Sequence, residues 1–238
     1  MSTVVTIYQP QYLPWLGLFD RIDRSDIFVI LDTVAYSKNY FHNRNRIKTP
    51  NGWRWLTTPV LTKGKFGVNF KDLKVDFKQS WEKKHFKAIC TYYGKAKFFD
   101  MYYDGFRKIY EVKYYNFMDV FKNTFFLIKK LLGFESNVIF ASSLKVSGKK
   151  DRLLMNIIEA IGSDAYISGP DGRTYIDIKK WEENGIKIIF HDFAHPVYPQ
   201  LYGSFIPQMS VIDLLFNCGP ESLEVLRRKQ KSVNLMLK

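Results

Sequence analysis

The fold is decided by residues 3–32, TVVTIYQPQYLPWLGLFDRIDRSDIFVILD. Thr3 to Tyr8 is β-branched and apolar enough for a buried strand, and the Gln9-Pro10 pair ends it because proline cannot donate to a strand ladder. The apolar residues between positions 16 and 22 have helical spacing. Asp26 to Asp32 encloses a continuous apolar block between two acids, as in a strand buried on both faces. The order strand, loop, helix, strand predicts a βαβ unit.

The rest of the chain repeats this alternation of strands and helices. We predict a strand pair or hairpin arm at Trp53–Val60 after a turn at Asn51–Gly52, and a weaker strand at Val75–Phe77. The later elements are two or three helices between Trp81 and Leu132, a strand at Val138–Phe140, a helix at Lys150–Ile161, a strand at Ala165–Ser168, a helix at Ile178–Asn184, a strand at Ile186–Phe190, and a basic helix or tail at Glu221–Lys238. Repeated units of this kind predict an α/β fold with a mostly parallel sheet flanked by helices. We expect a single domain, 1–238, with residues 81–135 as a helical cover or subdomain.

The composition is that of a globular protein. Hydrophobic residues make up 46% of the 238 residues and charged residues 25%. The first residues lack a basic leader, and the longest apolar stretches fall far short of the roughly 20 residues that span a bilayer. Cys90 and Cys218 lie in unrelated contexts without a CxxC pair. We therefore expect a cytoplasmic protein with reduced cysteines and no membrane span.

The net charge of +13 favours anionic partners, since 36 Lys and Arg residues face 23 Asp and Glu. The cations are densest between Tyr36 and Lys48, where there is no acid. Arginine offers a planar fork that fits phosphate or carboxylate, and the alternating Asn-Arg-Asn-Arg at 43–46 adds amide groups. If this piece is extended, residues 44 and 46 share one face, with 43 and 45 on the other.

The first candidate site lies at the carboxyl edge of the predicted sheet. The loop after the first strand and the segment after Asp32 should meet there, because parallel strands end at the same edge. Asp32 itself is a candidate base or metal ligand, with capping of the next turn as the alternative. For Trp15, packing at the start of the helix explains the residue equally well. The candidate binding residues of these two segments are Gln9, Gln11, Tyr12, Trp15, Ser37, Lys38, Asn43, Arg44, Asn45, Arg46 and Lys48.

Two later segments add candidates. The glycine-rich turn at 168–175 would bring backbone N–H groups and Arg173 to an anion. His195 is a candidate general base. Ser210 and Asp213 are explained by capping of the final helix. The remaining candidate binding residues are Ser168, Gly169, Tyr175, Tyr198 and Gln200.

Several known motifs are absent from the sequence, namely GxxxxGK[ST], GxGxxG, HExxH and GxSxG. His191 and His195 have helical i, i+4 spacing, but a proline follows at once and no third ligand is evident. No metal site is predicted.

Four ordered blocks span nearly the whole chain: QPQYLPWLGLF at 9–19, YSK and NRNRIKTPNG between 36 and 52, YISG at 166–169, and HPVYPQ to SVIDLLFNCG at 195–219. In these blocks the chain resembles the WbqC-like protein family. Tyr8 departs from the pattern, because a histidine or methionine often precedes Gln-Pro in the family. Residues 81–135 are too variable in character to compare.

The resemblance implies a role in bacterial surface-polysaccharide (O-antigen) biosynthesis, where such genes accompany the making of acylated or aminoacylated amino-deoxysugars. It suggests an enzyme that forms an amide at the amine of a nucleotide-linked sugar. Arg44, Arg46 and Lys48 would then grip the nucleotide diphosphate, with Tyr12 and Trp15 at the base. His195 or Asp32 would take the proton from the attacking ammonium.

Two alternatives follow from other features. Strand, proline-bearing loop, helix and strand also resemble the nucleotidyltransferase-like arrangement, although the histidines usual in that loop are missing; the amide would then come from an ATP-activated carboxylate. The charge of +13 and the abundant aromatic residues are typical of an RNA-binding module. The donors compatible with these hypotheses are acyl-CoA, ATP with a free acid, and aminoacyl-tRNA.

Overall fold

The structure, a computed structural model, describes residues 3–62, 64 and 67–228. The chain forms two compact units, each assembled from stretches that are far apart in the sequence. The first unit contains the residues up to Pro10, Gly17–Val34 and Glu135–Phe193. The second contains Gln11–Leu16, Ala35–Phe134 and the residues from Ala194 onward.

Strands and helices alternate along much of the described chain. The strands are β1 (Val4–Tyr8), β2 (Ile27–Ile30), β3 (Arg44–Thr49), β4 (Gly52–Thr57), β5 (Asn137–Phe140), β6 (Ala165–Ser168) and β7 (Lys187–Phe190). The α-helices are α1 (Leu16–Asp23), α2 (Trp81–Tyr93), α3 (Phe99–Glu111), α4 (Phe117–Leu132), α5 (Lys150–Ile161), α6 (Ile178–Glu183), α7 (Val211–Cys218) and α8 (Ser222–Arg227). The predicted bounds of α5 and β6 are confirmed.

The first unit is built on a five-stranded parallel sheet in the order β5-β2-β1-β6-β7. Its core consists of strand residues such as Val5 and Val29 together with Leu153 and Ile157 of α5, all of them buried. Tyr166 of β6 stacks on the fully buried Trp181 of α6, with ring centroids 5.2 Å apart. The predicted α/β class, with a mostly parallel sheet flanked by helices, is confirmed.

The strand order contains a topological switch point. From β1 the chain moves outward through β2 to β5, then returns to the other side of β1 and continues through β6 to β7. The order therefore reverses between β1 and β6. In doubly wound sheets this reversal opens a crevice at the carboxyl ends of the two strands, and ligands bind there.

The second unit combines an antiparallel hairpin, β3–β4, with helices α2, α3, α4, α7 and α8. The hairpin pairs Arg44 with Thr57 and Thr49 with Gly52. Gly52 has φ +107°, a conformation that glycine adopts without strain, and it is the glycine of the predicted Asn51–Gly52 turn. The core of this unit is aromatic, and Phe216 of α7 lies 5.2 Å from both the Tyr93 and the Phe106 ring centroids.

Three sequence predictions differ from the structure. The strand expected at Val75–Phe77 is wrong, because Val75 makes only an isolated bridge with Val60 and Phe77–Gln79 is a 3-10 helix. The strand expected at Trp53–Val60 ends at Thr57, before Pro59. Part of the basic tail forms α8, and residues 229–238 lie outside the described residues. Over the described chain, no helix combines the length and apolar character needed to cross a bilayer.

Candidate functional site

The carboxyl edge of the first unit's sheet carries several predicted site residues. Gln9 follows β1, and Gly169 follows β6, the strand on the other side of the switch point. Gln9 is half-buried, whereas Ser168 at the end of β6 is almost fully buried. Tyr175, at the end of the 3-10 helix Pro170–Thr174, is 53% exposed. The switch point therefore has polar side chains at both of its strands.

Arg21 is the unusual residue of this edge, and the sequence analysis did not identify it. Its side chain lies inside the first unit with only 4% of the residue exposed, and Nε and Nη2 have no hydrogen-bond partner in the structure. The guanidinium carbon lies 4.6 Å from the centre of the Tyr8 ring. Burial lowers the pKa of Arg21, and nearby Tyr166, Tyr8, Tyr175 and Asp171 act in the opposite direction. An arginine remains charged at neutral pH, so a charge is buried here with no hydrogen-bonded counter-ion at Nε or Nη2.

Asp20, the neighbour of Arg21 in the sequence, bonds to two other side chains. Asp20 accepts a hydrogen bond from Arg24 Nε at 2.9 Å and lies 2.5 Å from His191 Nε2. Arg173, which the sequence analysis had placed at an anion, instead forms a two-fold ion pair with Asp192, at 2.7 and 2.8 Å. Arg21, unlike Arg173, thus has no carboxylate bonded to its Nε or Nη2, and Asp171 acts on it only through its charge.

Gly169 allows Arg21 to occupy this position. A Cβ carbon added at residue 169 would lie 2.8 Å from Arg21 Nη1, closer than side chains approach in real structures. The glycine has φ −68° and ψ 169°, which any residue adopts, so backbone conformation does not require it. A larger residue here would force the guanidinium end of Arg21 to move.

Asp32 also lies in the first unit, two residues after the end of β2, and it is 4% exposed. Its Oδ1 accepts from the Ser142 backbone N–H at 2.9 Å, and its Oδ2 accepts from Ser142 Oγ at 2.6 Å. The carboxylate thereby binds the turn after β5, rather than the turn that follows Asp32 itself. It is held rigidly at the sheet edge next to β1.

His195 lies in the second unit, and both of its ring nitrogens are bonded to backbone groups. Nε2 accepts from the Gln208 N–H at 3.0 Å, which leaves the proton on Nδ1 to be donated to the Pro196 carbonyl at 2.8 Å. The ring thereby links the backbone of Pro196 to that of Gln208.

The loop from Gln11 to Trp15 is bound to β3 within the second unit. The Tyr12 backbone N–H donates to the His42 carbonyl at 2.7 Å, and Asn45 Nδ2 donates to the Leu13 carbonyl at 2.7 Å. Gln11 is buried, and its Oε1 has no partner in the structure. Trp15 is half-buried and bridges to Ser210. The two predicted segments do meet here, within the second unit, and they bond to each other through backbone and side-chain groups.

The predicted face of β3 is present, with Arg44 and Arg46 half-buried and Asn45 fully buried. Arg44 lies over the Trp55 ring at 4.5 Å and Arg46 over the Trp53 ring at 5.0 Å. Arg46 Nη2 also donates to Gln208 Oε1 at 2.9 Å. We call this group, with the exposed Phe41, the hairpin face: Phe41, Arg44, Arg46, Trp53 and Trp55.

Four other candidates of this segment differ widely in exposure. Ser37 and Lys38 are exposed. Asn43 is buried, and its Nδ2 donates to the Thr58 carbonyl at 2.8 Å. Lys48 is fully buried, and its Nζ donates to the Ser204 carbonyl at 2.6 Å. Burial lowers the pKa of Lys48, with an opposing effect of Asp213.

Asp213 organises the other buried polar group of the second unit. It accepts from Tyr93 and Tyr198 hydroxyls at 2.8 and 2.9 Å and from Gln200 Nε2 at 2.7 Å. Burial raises the pKa of Asp213, while these hydrogen bonds oppose the shift. The expectation that Asp213 caps α7 is wrong; the expected cap Ser210 is confirmed, since its Oγ accepts from the Ile212 N–H. Tyr198 and Gln200 thus bond to a carboxylate of the protein itself.

The fold and the switch-point edge define a doubly wound α/β protein with a buried, unpaired arginine where such folds bind ligands. The chain belongs to the WbqC-like protein family, whose model matches residues 9–225. It is similar to the uncharacterized protein Rv1507c of Mycobacterium tuberculosis, with 34% identity over 225 residues that cover 94% of this chain and 97% of that protein. No solved structure matches the chain.

Proposed function

We propose that this protein is an enzyme that modifies a nucleotide-linked amino-deoxysugar in bacterial surface-polysaccharide (O-antigen) biosynthesis, by N-acyl or aminoacyl transfer to the sugar amine. The unpaired Arg21 at the switch point carries this proposal. A buried charge without a counter-ion costs several kcal/mol. A bound diphosphate would supply the missing anion, and doubly wound sheets bind nucleotides at this edge.

The residues around Arg21 suggest the division of roles. Arg21 binds the diphosphate, and Gln9, Ser168 and Tyr175 border it as hydrogen-bonding groups. Amide formation requires the sugar ammonium to lose a proton before its nitrogen attacks the acyl carbonyl. Of the two base candidates we favour Asp32, because it lies on the same sheet edge as Arg21 and each of its oxygens keeps a second lone pair beside the hydrogen bond from Ser142. His195 has both ring nitrogens bonded to backbone.

Three classes of acyl donor are compatible with this proposal. A coenzyme A thioester delivers the acyl group directly. The doubly wound strand order supports an ATP-dependent ligase or nucleotidyltransferase-like reaction, in which ATP would occupy the switch point and activate a carboxylate. The hairpin face supports aminoacyl-tRNA, since exposed aromatic rings interleaved with arginines suit unpaired RNA bases.

The proposal is tested by isothermal titration of wild-type protein and Arg21→Gln with nucleoside diphosphates, nucleotide-linked amino sugars and ATP. We expect Arg21→Gln to lose about tenfold or more in affinity, since a hydrogen bond to a charged group is worth about 1.5–3 kcal/mol. The same variant should be as stable as wild type or more stable in urea, because it removes an uncompensated charge.

Arg24→Gln is the matched control. Arg24 is the residue directly after α1, and it already forms a salt bridge with Asp20. We expect this variant to keep wild-type affinity. Unchanged nucleotide affinity in Arg21→Gln, or its loss of several kcal/mol of stability, would show that the charge is structural and would contradict the proposal.

The tRNA hypothesis has its own test at the hairpin face. Trp53 is 43% exposed, so Trp53→Ala should change the free energy of unfolding little. The same variant should weaken tRNA binding by about 1–3 kcal/mol per lost base stack. Filter binding at several salt concentrations measures this effect. Exposed Tyr115, on another part of the second unit, provides the control Tyr115→Ala. Equal losses in both variants would remove the hairpin face from consideration.

A further inference from the structure

We infer that the second unit holds a binding site for a small organic carboxylate in the cleft between β4 and α2. The cleft has a volume of about 180 Å³. The side chains on which the argument rests are Arg54, Trp55, Gln79, Trp81, Lys84 and His85. This inference does not depend on the proposed function, because that function was argued from the first unit.

The charges of the cleft select an anion. Arg54 and Lys84 are exposed cations on facing elements, and the residues lining the cleft include no acid. Arg54 is held by the Tyr92 hydroxyl at 3.2 Å, which leaves the other side of its planar fork available. Arginine forks pair with carboxylates through two parallel hydrogen bonds. Without a carboxylate in its wall, the cleft offers no counter-ion to the ammonium of an amino acid.

An unused donor points to the same ligand. Trp81 lines the cleft, is 3% exposed, and its indole Nε1 has no hydrogen-bond partner in the structure. Buried N–H groups are nearly always bonded, so an unpartnered one in the wall of a cleft is available to a water molecule or a ligand. An anionic oxygen in the cleft would accept from this N–H.

His85 gives the cleft a neutral, fixed wall. Its Nδ1 lies 2.8 Å from the Tyr12 hydroxyl, which is in turn 2.6 Å from the Tyr110 hydroxyl. Burial lowers the pKa of His85 to about 3, so the ring is uncharged at neutral pH. The positive charge of the cleft therefore comes from Arg54 and Lys84, and the His85 ring provides a surface for packing.

The size and the walls of the cleft define the body of the ligand. An engineered apolar cavity of about 150 Å³ takes up benzene, so this cleft is large enough for a small acid. Trp55, Leu56, Pro59 and Ala88 provide apolar surface. These side chains can contact a compact apolar or aromatic body, which inorganic phosphate lacks.

The test compares four probes by isothermal titration: benzoate, its neutral analogue benzyl alcohol, phenylalanine and inorganic phosphate. We expect benzoate to bind most tightly. Arg54→Gln and Lys84→Gln should each weaken benzoate binding about tenfold, because each removes a charge-assisted contact. Lys83→Gln is the matched control, since Lys83 is the exposed neighbour on α2 outside the cleft lining, and it should leave the affinity unchanged.

The indole N–H signals locate the ligand. The chain has five tryptophans, and Trp81→Phe identifies the Trp81 signal by its disappearance from the nitrogen–proton spectrum. Benzoate should shift this signal and leave that of Trp181 in place, an equally buried indole in the first unit whose Nε1 also has no partner. Trp81→Phe, checked for folding in urea, should bind benzoate more weakly.

Four outcomes would overturn the inference. If benzyl alcohol binds as tightly as benzoate, the charge of the ligand does not matter. If inorganic phosphate binds as tightly as benzoate, the site is not specific for a carboxylate. Equal weakening by Lys83→Gln would indicate diffuse attraction to a basic surface. A benzoate-induced shift of the Trp53 signal without one at Trp81 would place the ligand on the hairpin face.

Discussion

Arg21 Nη1 lies so close to Gly169 that a Cβ carbon at this residue would come within 2.8 Å of it. The two residues stand on opposite sides of the switch point, one in α1 and one directly after β6. We therefore expect Gly169→Ala to displace the guanidinium and to weaken nucleotide binding about tenfold, at a stability cost of about 1–3 kcal/mol from overpacking. Titration calorimetry and urea unfolding measure the two effects.

Gly105→Ala is the control for this substitution. It adds a methyl group inside α3, where the nearest atom, a Leu127 side-chain carbon, is 3.3 Å away and alanine is the better helix former. Binding should be unchanged in this variant. A Gly169→Ala protein that retains full affinity would mean that Arg21 moves without consequence, and the diphosphate role would then fail.

His85 predicts a specific loss of stability in acid. Burial lowers its pKa to about 3 from the ordinary 6.5, so the unfolded chain binds a proton below about pH 6.5 that the folded protein refuses. The contribution of His85 to the free energy of unfolding is therefore complete above about pH 6.5, and it is lost as the pH decreases toward about 3. Between about pH 8 and about pH 5, wild type should lose about 2 kcal/mol more than His85→Asn does, measured by urea unfolding. Parallel pH curves for the two proteins would show that His85 titrates normally.

Much of the first unit could be predicted from local sequence, because its signals are local. Pro10 ends β1 because proline cannot donate to a strand ladder. The continuous apolar block between Asp26 and Asp32 is typical of a strand buried on both faces. Gly162 closes α5 in the left-handed conformation, with φ +74°, so the end of this helix was predicted to the residue. These features do not depend on distant parts of the chain.

The site depends on contacts that no local pattern contains. Arg21 sits in an ordinary amphipathic helix, and its isolation is created by a turn near Gly169, almost 150 residues later. Lys48 was predicted to bind a diphosphate together with Arg44 and Arg46, yet it is fully buried and its Nζ donates to the Ser204 carbonyl. The one local signal for Arg21 was its place in the first crossover helix of a βαβ unit, beside the strand end where ligands bind.

Tyr198 offers a test between a structural and a binding role. Its hydroxyl donates to the buried Asp213, and hydrogen bonds to charged groups contribute about 1.5–3 kcal/mol. Tyr198→Phe should lose a comparable amount of unfolding free energy and keep wild-type affinity for the nucleotide-linked sugar. Tyr115→Phe, at a 55% exposed position, should change neither quantity. Lost affinity with unchanged stability in Tyr198→Phe would instead place its hydroxyl on the substrate.

Asp32 and His195 make opposite predictions for the transfer reaction. If Asp32 removes the proton from the sugar ammonium, Asp32→Asn keeps the shape of the side chain but removes the base, and kcat should fall about 100-fold or more with little change in KM. His195→Gln should keep kcat, because the ring serves the backbone of its own loop at Pro196 and Gln208. Urea unfolding of both variants separates chemistry from stability, since Asp32 also holds Ser142. A fall in kcat confined to His195→Gln would assign the role of base to His195 instead of Asp32.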